Sequence, residues 1–371
     1  MMKAVCLAFS LAISACGDTP PAAHGPIAPE NIEYRLETVA SNLQVPWSIV
    51  FAPDGRILFT ERPGRVRVIE NGKLKAQPLH TFKDVKSASE TGLMGLCLHP
   101  AFATNHFIYA SYAYKLDAVR VVRFKETPSG LTEMKIIVDA LPSAPNHAGC
   151  RIKFGPDGKL YITTGDATDR RIAQQLLSLG GKTLRLNDDG SFPEDNPFAT
   201  RDDALPHIWS YGHRNAQGMD WQPGTGLMFQ TEHGPSGFDG PGGGDEVNIV
   251  EKGKNYGWPT IHHTATQDGL VSPLLEFTPA EAPASGAFYS GDKLPQFKGN
   301  FFFGCLRGEG LMRVVLDGRK VVKHEKLVTD MGRIRDVAQG PDGYIYFSTS
   351  NKDGRGSPAA DDDRIMRIVP K

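Results

Sequence analysis

Residues 212–259 hold the densest run of side chains that could do chemistry. Four short motifs lie within this segment: GHRNAQG at 212–218, EHGP at 232–235, DEVN at 245–248 and NYGWP at 255–259. An imidazole, a guanidinium, amides and carboxylates recur there between turn glycines, with few hydrophobic residues. Loops of this composition suit a binding site for an anion and a hard cation better than they suit a core.

Polar residues next to predicted strands are candidates for the same site. Within residues 212–259 they are His213, Arg214, Asn215 and Gln217, and in other parts of the chain they are Glu90, His147, Arg151, Arg307, Arg333 and Arg335. If the loops that carry them converge, the arginines would bind a polyanionic ligand through two-pronged guanidinium contacts. Each arginine taken alone is better explained by a surface salt bridge, and Arg151 could belong to the hairpin that follows it. The prediction therefore depends on their shared placement.

The elements that must position these residues show an internal repeat. Segments 51–60, 154–163 and 339–348 each have a Pro-Asp-Gly turn between two strands that alternate apolar and polar residues, and weaker copies occur at 96–111, 219–231 and 286–304. Six hairpins spaced by about 45 to 70 residues predict an all-β fold, a six-bladed β-propeller. The loops on one propeller face converge on the central channel. A strand at 34–40 is expected to pair with one at 364–369 and close the ring.

The N-terminal residues predict export. Lys3 precedes an apolar run at 4–13 that is too short to be a stop-transfer helix. Residues 1–15 therefore resemble a signal peptide, and Cys16 directly follows small residues as in a bacterial lipobox. We expect a periplasmic protein held at the outer membrane by a lipid on Cys16, a flexible tether at 16–32 and the propeller at 33–371. An ordinary secretory signal cleaved near Ala15 is the alternative.

Composition narrows the partners and the thiol chemistry. The formal net charge of −1 and the pI near 6.8 exclude the long-range field that nucleic acid or an anionic membrane surface requires. After processing, Cys97, Cys150 and Cys305 remain, so at most one intramolecular disulfide can form. We expect three buried free thiols, with a Cys97–Cys150 bridge as the alternative. The chain has no Gly-x-Ser-x-Gly, Cys-x-x-Cys or His-Glu-x-x-His motif.

The motifs at 212–218, 232–235 and 255–259 resemble those of the soluble aldose sugar dehydrogenases that carry pyrroloquinoline quinone (PQQ), the family of soluble glucose dehydrogenase. The resemblance extends over nearly the whole mature chain, from residue 45 to residue 365. It implies oxidation of a small aldose sugar at its anomeric carbon to a lactone. It also implies PQQ and Ca²⁺ as cofactors and an external electron acceptor as the second partner.

Roles for individual residues follow from the resemblance alone. It implies that His147 is the general base that takes the proton from the anomeric hydroxyl group. Arg214 and Asn215 would contact the cofactor, and Arg333 and Arg335 would hold its carboxylates. In the calcium sites, the backbone carbonyls at 234 and 235 would bind the ion that activates the quinone.

The remaining implied calcium ligands, and three departures from the family pattern, complete the predicted site. Glu246 and Tyr256 would lie at a second, structural calcium, whereas Gly234 and Pro235 would bind the first. Three positions differ from the family: Glu90 stands where a glutamine contacts the substrate, Asn146 where an aspartate precedes the base, and Arg307 where a lysine contacts the cofactor. Glu90 would cost electrostatic energy beside a reduced, anionic quinone unless it is protonated or paired.

Two other functions remain open at the level of sequence. The first is a calcium-dependent propeller lactonase or other hydrolase, in which His147 and Glu90 activate water. The second is a non-catalytic, carbohydrate-binding envelope lipoprotein. The four arginines favour the dehydrogenase, because neither a neutral lactone nor a glycan requires so much positive charge.

Overall fold

The computed structural model describes residues 32–371 and is almost entirely built of β-strands. The predicted signal peptide, Cys16 and all but the last residue of the predicted tether lie outside the described residues. In chain order the strands are β1 (Arg35–Ala40), β2 (Pro46–Phe51), β3 (Ile57–Glu61), β4 (Arg65–Glu70), β5 (Lys73–Leu74), β6 (His80–Thr81), β7 (Leu93–Leu98), β8 (Phe107–Lys115), β9 (Ala118–Thr127), β10 (Gly130–Pro142), β11 (Gly149–Phe154), β12 (Leu160–Thr164), β13 (Lys182–Leu186), β14 (Ile208–Tyr211), β15 (Ala216–Trp221), β16 (Met228–Glu232), β17 (Asp245–Val250), β18 (Leu275–Phe277), β19 (Pro283–Phe288), β20 (Phe301–Cys305), β21 (Leu311–Asp317), β22 (Lys320–Leu327), β23 (Ile334–Gln339), β24 (Ile345–Thr349) and β25 (Ile365–Val369).

Helices are few and short in this range. One α-helical turn, α1, spans Phe102–Asn105, and two 3₁₀ turns span Arg170–Gln174 and Pro295–Phe297. No helix within residues 32–371 is long and apolar enough to cross a membrane. The described cysteines, Cys97, Cys150 and Cys305, are buried free thiols, as expected from the sequence.

The strands form six antiparallel sheets, which are the blades of a propeller. Blade 1 contains β2 to β6, blade 2 β7 to β10, blade 3 β11 to β14, blade 4 β15 to β18, and blade 5 β19 to β22. Blade 6 contains β23, β24 and β25 with β1 on its outer edge. The first strand of each blade contacts the first strand of the next, and β23 contacts β2, so the inner strands form a closed ring. The prediction of a six-bladed propeller is confirmed.

The closure of the ring joins the two ends of the described chain. Strand β1 pairs antiparallel with β25, from Arg35 opposite Val369 to Ala40 opposite Ile365. Leu36 and Tyr34 pack against the apolar cluster between blades 5 and 6, and the Val328 N–H donates to the Tyr34 hydroxyl (3.1 Å). The expected pairing of 34–40 with 364–369 is therefore present.

Each repeated hairpin connects the first two strands of a blade. The Pro-Asp-Gly turns need their glycine because Gly55, Gly158 and Gly343 have φ values of 87°, 72° and 81°, which side chains disfavour. Apolar side chains fill the space between neighbouring blades; between blades 4 and 5, for example, the Phe229 ring meets the edge of Phe288 at 4.9 Å. These turns lie at one end of the ring, so the first strands begin and the second strands end at the opposite end.

Candidate active site

A cavity of about 350 Å³ lies at the end of the ring where the first strands of the blades begin. The described residues that line it are Arg62, Ser89, Glu90, His147, Arg214, His233, Gly234, Pro235, Ser236, Asp245, Ala280, Ala282, Leu306, Arg307, Glu309, Arg333, Arg335, Asp353 and Arg355. Most of them either precede the first strand of a blade or follow the second strand of one. The repeat therefore delivers side chains from several blades to one place.

His147 is buried in this cavity and is oriented by a carboxylate. Its Nδ1 lies 2.8 Å from Asp166 Oδ1. Asp166 is itself buried and accepts hydrogen bonds from the Thr168 N–H (2.9 Å) and from Trp258 Nε1 (2.8 Å). An ionised Asp166 can accept only, so the imidazole proton belongs on Nδ1 and Nε2 is left as a proton acceptor. This is the arrangement of a general base with a supporting carboxylate.

The backbone around His147 is shaped to hold the ring in place. His147 has φ 60°, in the left-handed region, and its carbonyl oxygen packs against Gly165. A Cβ atom at Gly165 would lie 1.8 Å from that oxygen, so the approach requires glycine. The Phe238 ring, which is 67% exposed, stacks on the imidazole with ring centroids 5.9 Å apart.

Glu90 lies beside His147 as a saturated, ionised carboxylate. Its Oε2 accepts from the His147 N–H (3.2 Å), from Asn215 Nδ2 (3.2 Å) and, at the limit of hydrogen bonding, from Gln217 Nε2 (3.5 Å). Its Oε1 accepts from Arg355 Nη1 (3.1 Å). Burial alone would raise the pKa of Glu90, but His233, Arg355 and His147 together lower this pKa to about 2.

Arg355 contacts both Glu90 and Asn146, two of the residues that differ from the family pattern. Besides Glu90, its Nη2 donates to Ser89 Oγ (2.9 Å) and to Asn146 Oδ1 (3.0 Å). Asn146 thus holds Arg355, whereas Asp166 orients the base. The carboxylate at position 90 is thus paired: His233, Arg355 and His147 all stabilise its charge, and the Arg355 guanidinium lies 3.1 Å away.

A second part of the cavity wall is cationic. Arg333 and Arg335, adjacent to and within β23, share one counter-ion: Asp353 Oδ2 lies 2.8 Å from Arg333 Nη2 and 3.4 Å from Arg335 Nη2. Arg335 also donates to Ser350 Oγ (3.0 Å) and to Gln217 Oε1 (3.3 Å). Burial lowers the pKa of Arg335 to about 10, partly opposed by Asp353, so its guanidinium stays charged at neutral pH. Arg307 is exposed at the rim.

Arg214 secures the loop between β16 and β17. This buried guanidinium donates to Asp239 Oδ2 (2.7 Å), to the His233 carbonyl (3.1 Å) and to Ser236 Oγ (3.0 Å). The next residue, Asn215, is fully buried, accepts from the Gly149 N–H (3.1 Å) and lies behind Glu90. Arg214 therefore lines the cavity, whereas Asn215 lies behind the cavity wall.

The residues predicted for the first calcium also line the cavity. The Gly234 N–H donates to Asp245 Oδ1 (2.7 Å), and the Pro235 carbonyl accepts from the Gly243 N–H (3.2 Å). A Cβ at Gly234 would lie 2.2 Å from the Gly244 carbonyl oxygen, so this close backbone approach requires glycine. The backbone carbonyl oxygens of Gly234 and Pro235 are ligands of the type that calcium prefers.

The residues predicted for a second calcium lie elsewhere, within blade 4. Glu246 is on β17 opposite Glu232, and burial and the Glu232 charge raise its pKa well above the usual range. The Tyr256 hydroxyl donates to the Ile249 carbonyl (2.6 Å), and its ring stacks on His213. Within residues 32–371 no three His, Cys, Asp or Glu side chains are grouped so as to hold a metal ion. This second site stays a prediction.

Two buried nitrogen atoms on the cavity wall are free to donate to a ligand. Among residues 32–371, Arg62 Nε and His233 Nε2 have no hydrogen-bond partner, and both residues line the cavity. A buried donor without a partner costs about 1 to 3 kcal/mol, so a ligand that accepts from these atoms would recover this cost. Among the described lining residues, Arg307, Arg333 and Arg335 fit a ligand that carries several carboxylates and carbonyl oxygens, as PQQ does.

These features define a propeller enzyme that places a carboxylate-oriented imidazole beside a pocket for an anionic ligand. The chain belongs to the glucose/sorbosone dehydrogenase family, whose model matches residues 43–365. It is 36% identical to the aldose sugar dehydrogenase YliI of Escherichia coli K12 over 86% of this chain and 91% of that protein. It is thus an oxidoreductase of the sugar dehydrogenase class.

Solved structures agree with this placement. A putative oxidoreductase (glucose dehydrogenase) of Thermus thermophilus is 40% identical, with a TM-score of 0.85 over 91% of this chain and 100% of that one. The PQQ-bound form of an aldose sugar dehydrogenase from Streptomyces coelicolor is 30% identical, with a TM-score of 0.80 over 93% of this chain and 100% of that one.

Proposed function

We propose that the protein oxidises aldose sugars at the anomeric carbon to lactones, with PQQ and Ca²⁺ as cofactors. The observation that carries the proposal is the juxtaposition of the His147–Asp166 pair with a pocket lined by arginines. Arg307, Arg333 and Arg335 would hold the carboxylates of the quinone, and the carbonyls of Gly234 and Pro235 would bind calcium. When bound, the quinone supplies a two-electron acceptor and calcium supplies a Lewis acid.

The reaction balances when a two-electron acceptor occupies the pocket. The sugar loses a proton from its anomeric hydroxyl group to His147 Nε2 and a hydride from its anomeric carbon to the bound acceptor. Asp166 stabilises the imidazolium that forms, because its carboxylate bonds Nδ1. The product is a lactone, and an external acceptor must remove the two electrons. Phe238 covers one face of the imidazole and would limit the access of water.

The pairing of Glu90 weighs against the hydrolase. A carboxylate whose pKa is about 2 is a weak base at neutral pH and cannot efficiently take a proton from water. Its oxygens are, in addition, occupied by four donors. The clustering of arginines likewise disfavours a purely glycan-binding role.

Reconstitution tests the proposal directly. The cofactor-free protein is titrated with PQQ, with calcium and again after chelation, and the quinone absorption is followed. We expect tight binding only with calcium, and Arg335→Ala should weaken it by about 1.5 to 3 kcal/mol through the loss of charge-assisted bonds. Arg319→Ala, which removes an exposed arginine far out on blade 5, is the matched control. Equal binding with and without calcium, or no dye-linked aldose oxidation by the loaded protein, would refute the proposal.

We further propose export to the periplasm with a lipid anchor on Cys16, supported by the sequence of residues 1–17. Expressed in a Gram-negative host, the protein should partition with membranes. Cys16→Ser should release it or block its processing. Recovery of the unaltered protein wholly in the soluble periplasmic fraction would instead support an ordinary signal peptide.

A further inference from the structure

Arg355 has hydrogen-bonding capacity that the protein does not use. Its side chain is 51% exposed and lines the cavity beside Glu90 and His147. Within residues 32–371 its side-chain N–H groups reach three acceptors, on Glu90, Ser89 and Asn146. A guanidinium has five N–H groups, so two remain for an acceptor from outside the protein.

The Glu90 carboxylate, by contrast, has no hydrogen-bonding capacity left for a ligand. An ionised carboxylate offers about four acceptor positions, and four protein donors already approach this one. A sugar hydroxyl would have to displace one of them. Glu90 therefore acts on the substrate through Arg355, by fixing the guanidinium and cancelling its charge.

We propose that Arg355 is a specificity-determining residue of the sugar site: its free N–H groups donate to the oxygens of an aldose, while Glu90 pairs with its charge and fixes its orientation. The inference rests on the proposed function, because it concerns the substrate of the same site. A neutral Arg355–Glu90 pair gives no electrostatic advantage to sugar acids or sugar phosphates.

The three hydrogen bonds made by the Arg355 side chain explain why position 355 requires an arginine. Ser89, Glu90 and Asn146 accept from two nitrogen atoms of one planar group, which fixes the orientation of the fork. A lysine ammonium is a point charge on a flexible stem and cannot bridge these acceptors in the same way. Arg355→Lys should keep the charge balance with Glu90 but lose the aligned donors.

The first test compares steady-state kinetics on a neutral aldose and on the corresponding uronic acid. Arg355→Met should raise KM for the aldose about tenfold with a much smaller change in kcat, because a contact present throughout the reaction is lost. Arg355→Lys should recover only part of this loss. Glu90→Gln leaves Arg355 unpaired, so the ratio of kcat/KM for uronic acid to that for aldose should rise by about threefold or more.

The double variant Glu90→Gln/Arg355→Met removes both charges. Its preference between the two sugars should return to the original value while KM for the aldose stays raised. Arg319→Met, which breaks an exposed ion pair with Glu251 on the outer part of the propeller, should leave both constants unchanged. An unchanged KM in Arg355→Met, or a preference for the uronic acid that Glu90→Gln does not increase, would overturn the assignment.

Two readouts without turnover separate this inference from the proposed function. The quinone titration of Arg355→Met should match that of the unaltered protein, because in this assignment Arg355 contacts the sugar and not the quinone. In the cofactor-free protein, the Tm losses of Glu90→Gln and Arg355→Met should not add in the double variant, since both break the same pair. Additive losses would overturn the pairing. Failure of the unaltered protein to bind quinone would refute the proposed function alone.

Discussion

At the scale of single residues, His147 is the group whose removal should affect chemistry most. We expect His147→Ala to lose about two to four orders of magnitude in turnover, the usual contribution of a positioned base. Its affinity for quinone should stay unchanged because the arginines across the cavity remain. His99→Ala is the control: this imidazole accepts the Ala101 N–H at the far end of blade 2. Turnover of His147→Ala close to that of the control would show that another group is the base.

Glu90 should influence the molecule through acid stability, not through the pH profile of turnover. Its folded-state pKa, about 2, lies below the ordinary 4.5, so the stability that the ionised group contributes is complete above about pH 4.5 and is lost as the pH falls toward 2. The Tm difference between the unaltered protein and Glu90→Gln should shrink over this window. The shape of kcat against pH should be the same for both from about pH 5 to about pH 9, and a Glu90-dependent inflection there would contradict the low pKa.

At the scale of elements, the loop between β24 and β25 carries two opposite charges to two sides of the cavity. Asp353 binds the arginine pair, and Arg355, two residues later, binds Glu90. The loop itself is tied down because Asn351 and Lys352 both donate backbone N–H groups to Asp363 Oδ1 (2.6 and 3.2 Å). This loop thus supplies the counter-ion of Arg333 and Arg335 as well as the guanidinium that pairs with Glu90.

Removing the carboxylate of Asp353 should destabilise the protein. Asp353→Asn would leave Arg333 and Arg335 buried without their counter-ion, and breaking such a buried pair costs about 3 kcal/mol or more. Asp361→Asn, in the same loop but exposed, is the matched control. Urea unfolding of the two cofactor-free variants measures the difference. Equal stabilities would show that the arginine pair does not depend on Asp353.

The elements were predictable from the sequence to a greater extent than the site. Three hairpins follow from their Pro-Asp-Gly turns and the other three from weaker copies of the same pattern, because turn residues and strand patterns are local properties. Asp166, Asp353 and Arg355 were missed because their contacts join loops far apart in the chain. A usable signal existed: each follows the second strand of a hairpin, where the fold turns the chain back toward the cavity. Glu246 and Tyr256 were chosen by resemblance alone, and their role stays a prediction.

At the scale of the whole molecule, the pairing of β1 with β25 should hold the ring together. A chain that begins after residue 41 loses Leu36 and Tyr34 from the cluster between blades 5 and 6. Burying side chains of this size stabilises a fold by about 1.5 to 3 kcal/mol each, so Tm should fall steeply. A chain that begins at Ile32 keeps these contacts and is the control. The truncated chain should also bind quinone more weakly, since Arg335 lies in the blade that would open. Equal Tm values would show that the ring closes without β1.

The late position of the last blade also bears on how the protein is made. Ribosomes release a chain from its N-terminus onward, and β1 must wait exposed until β25 emerges, more than 300 residues later. Arg333, Arg335, Asp353 and Arg355 emerge in this same final stretch. No truncated translation product that stops before it can assemble the cavity. Only a nearly complete chain should therefore bind an anionic ligand. A quinone-binding assay on pulse-labelled, stalled chains of increasing length should show binding appear in a single late step.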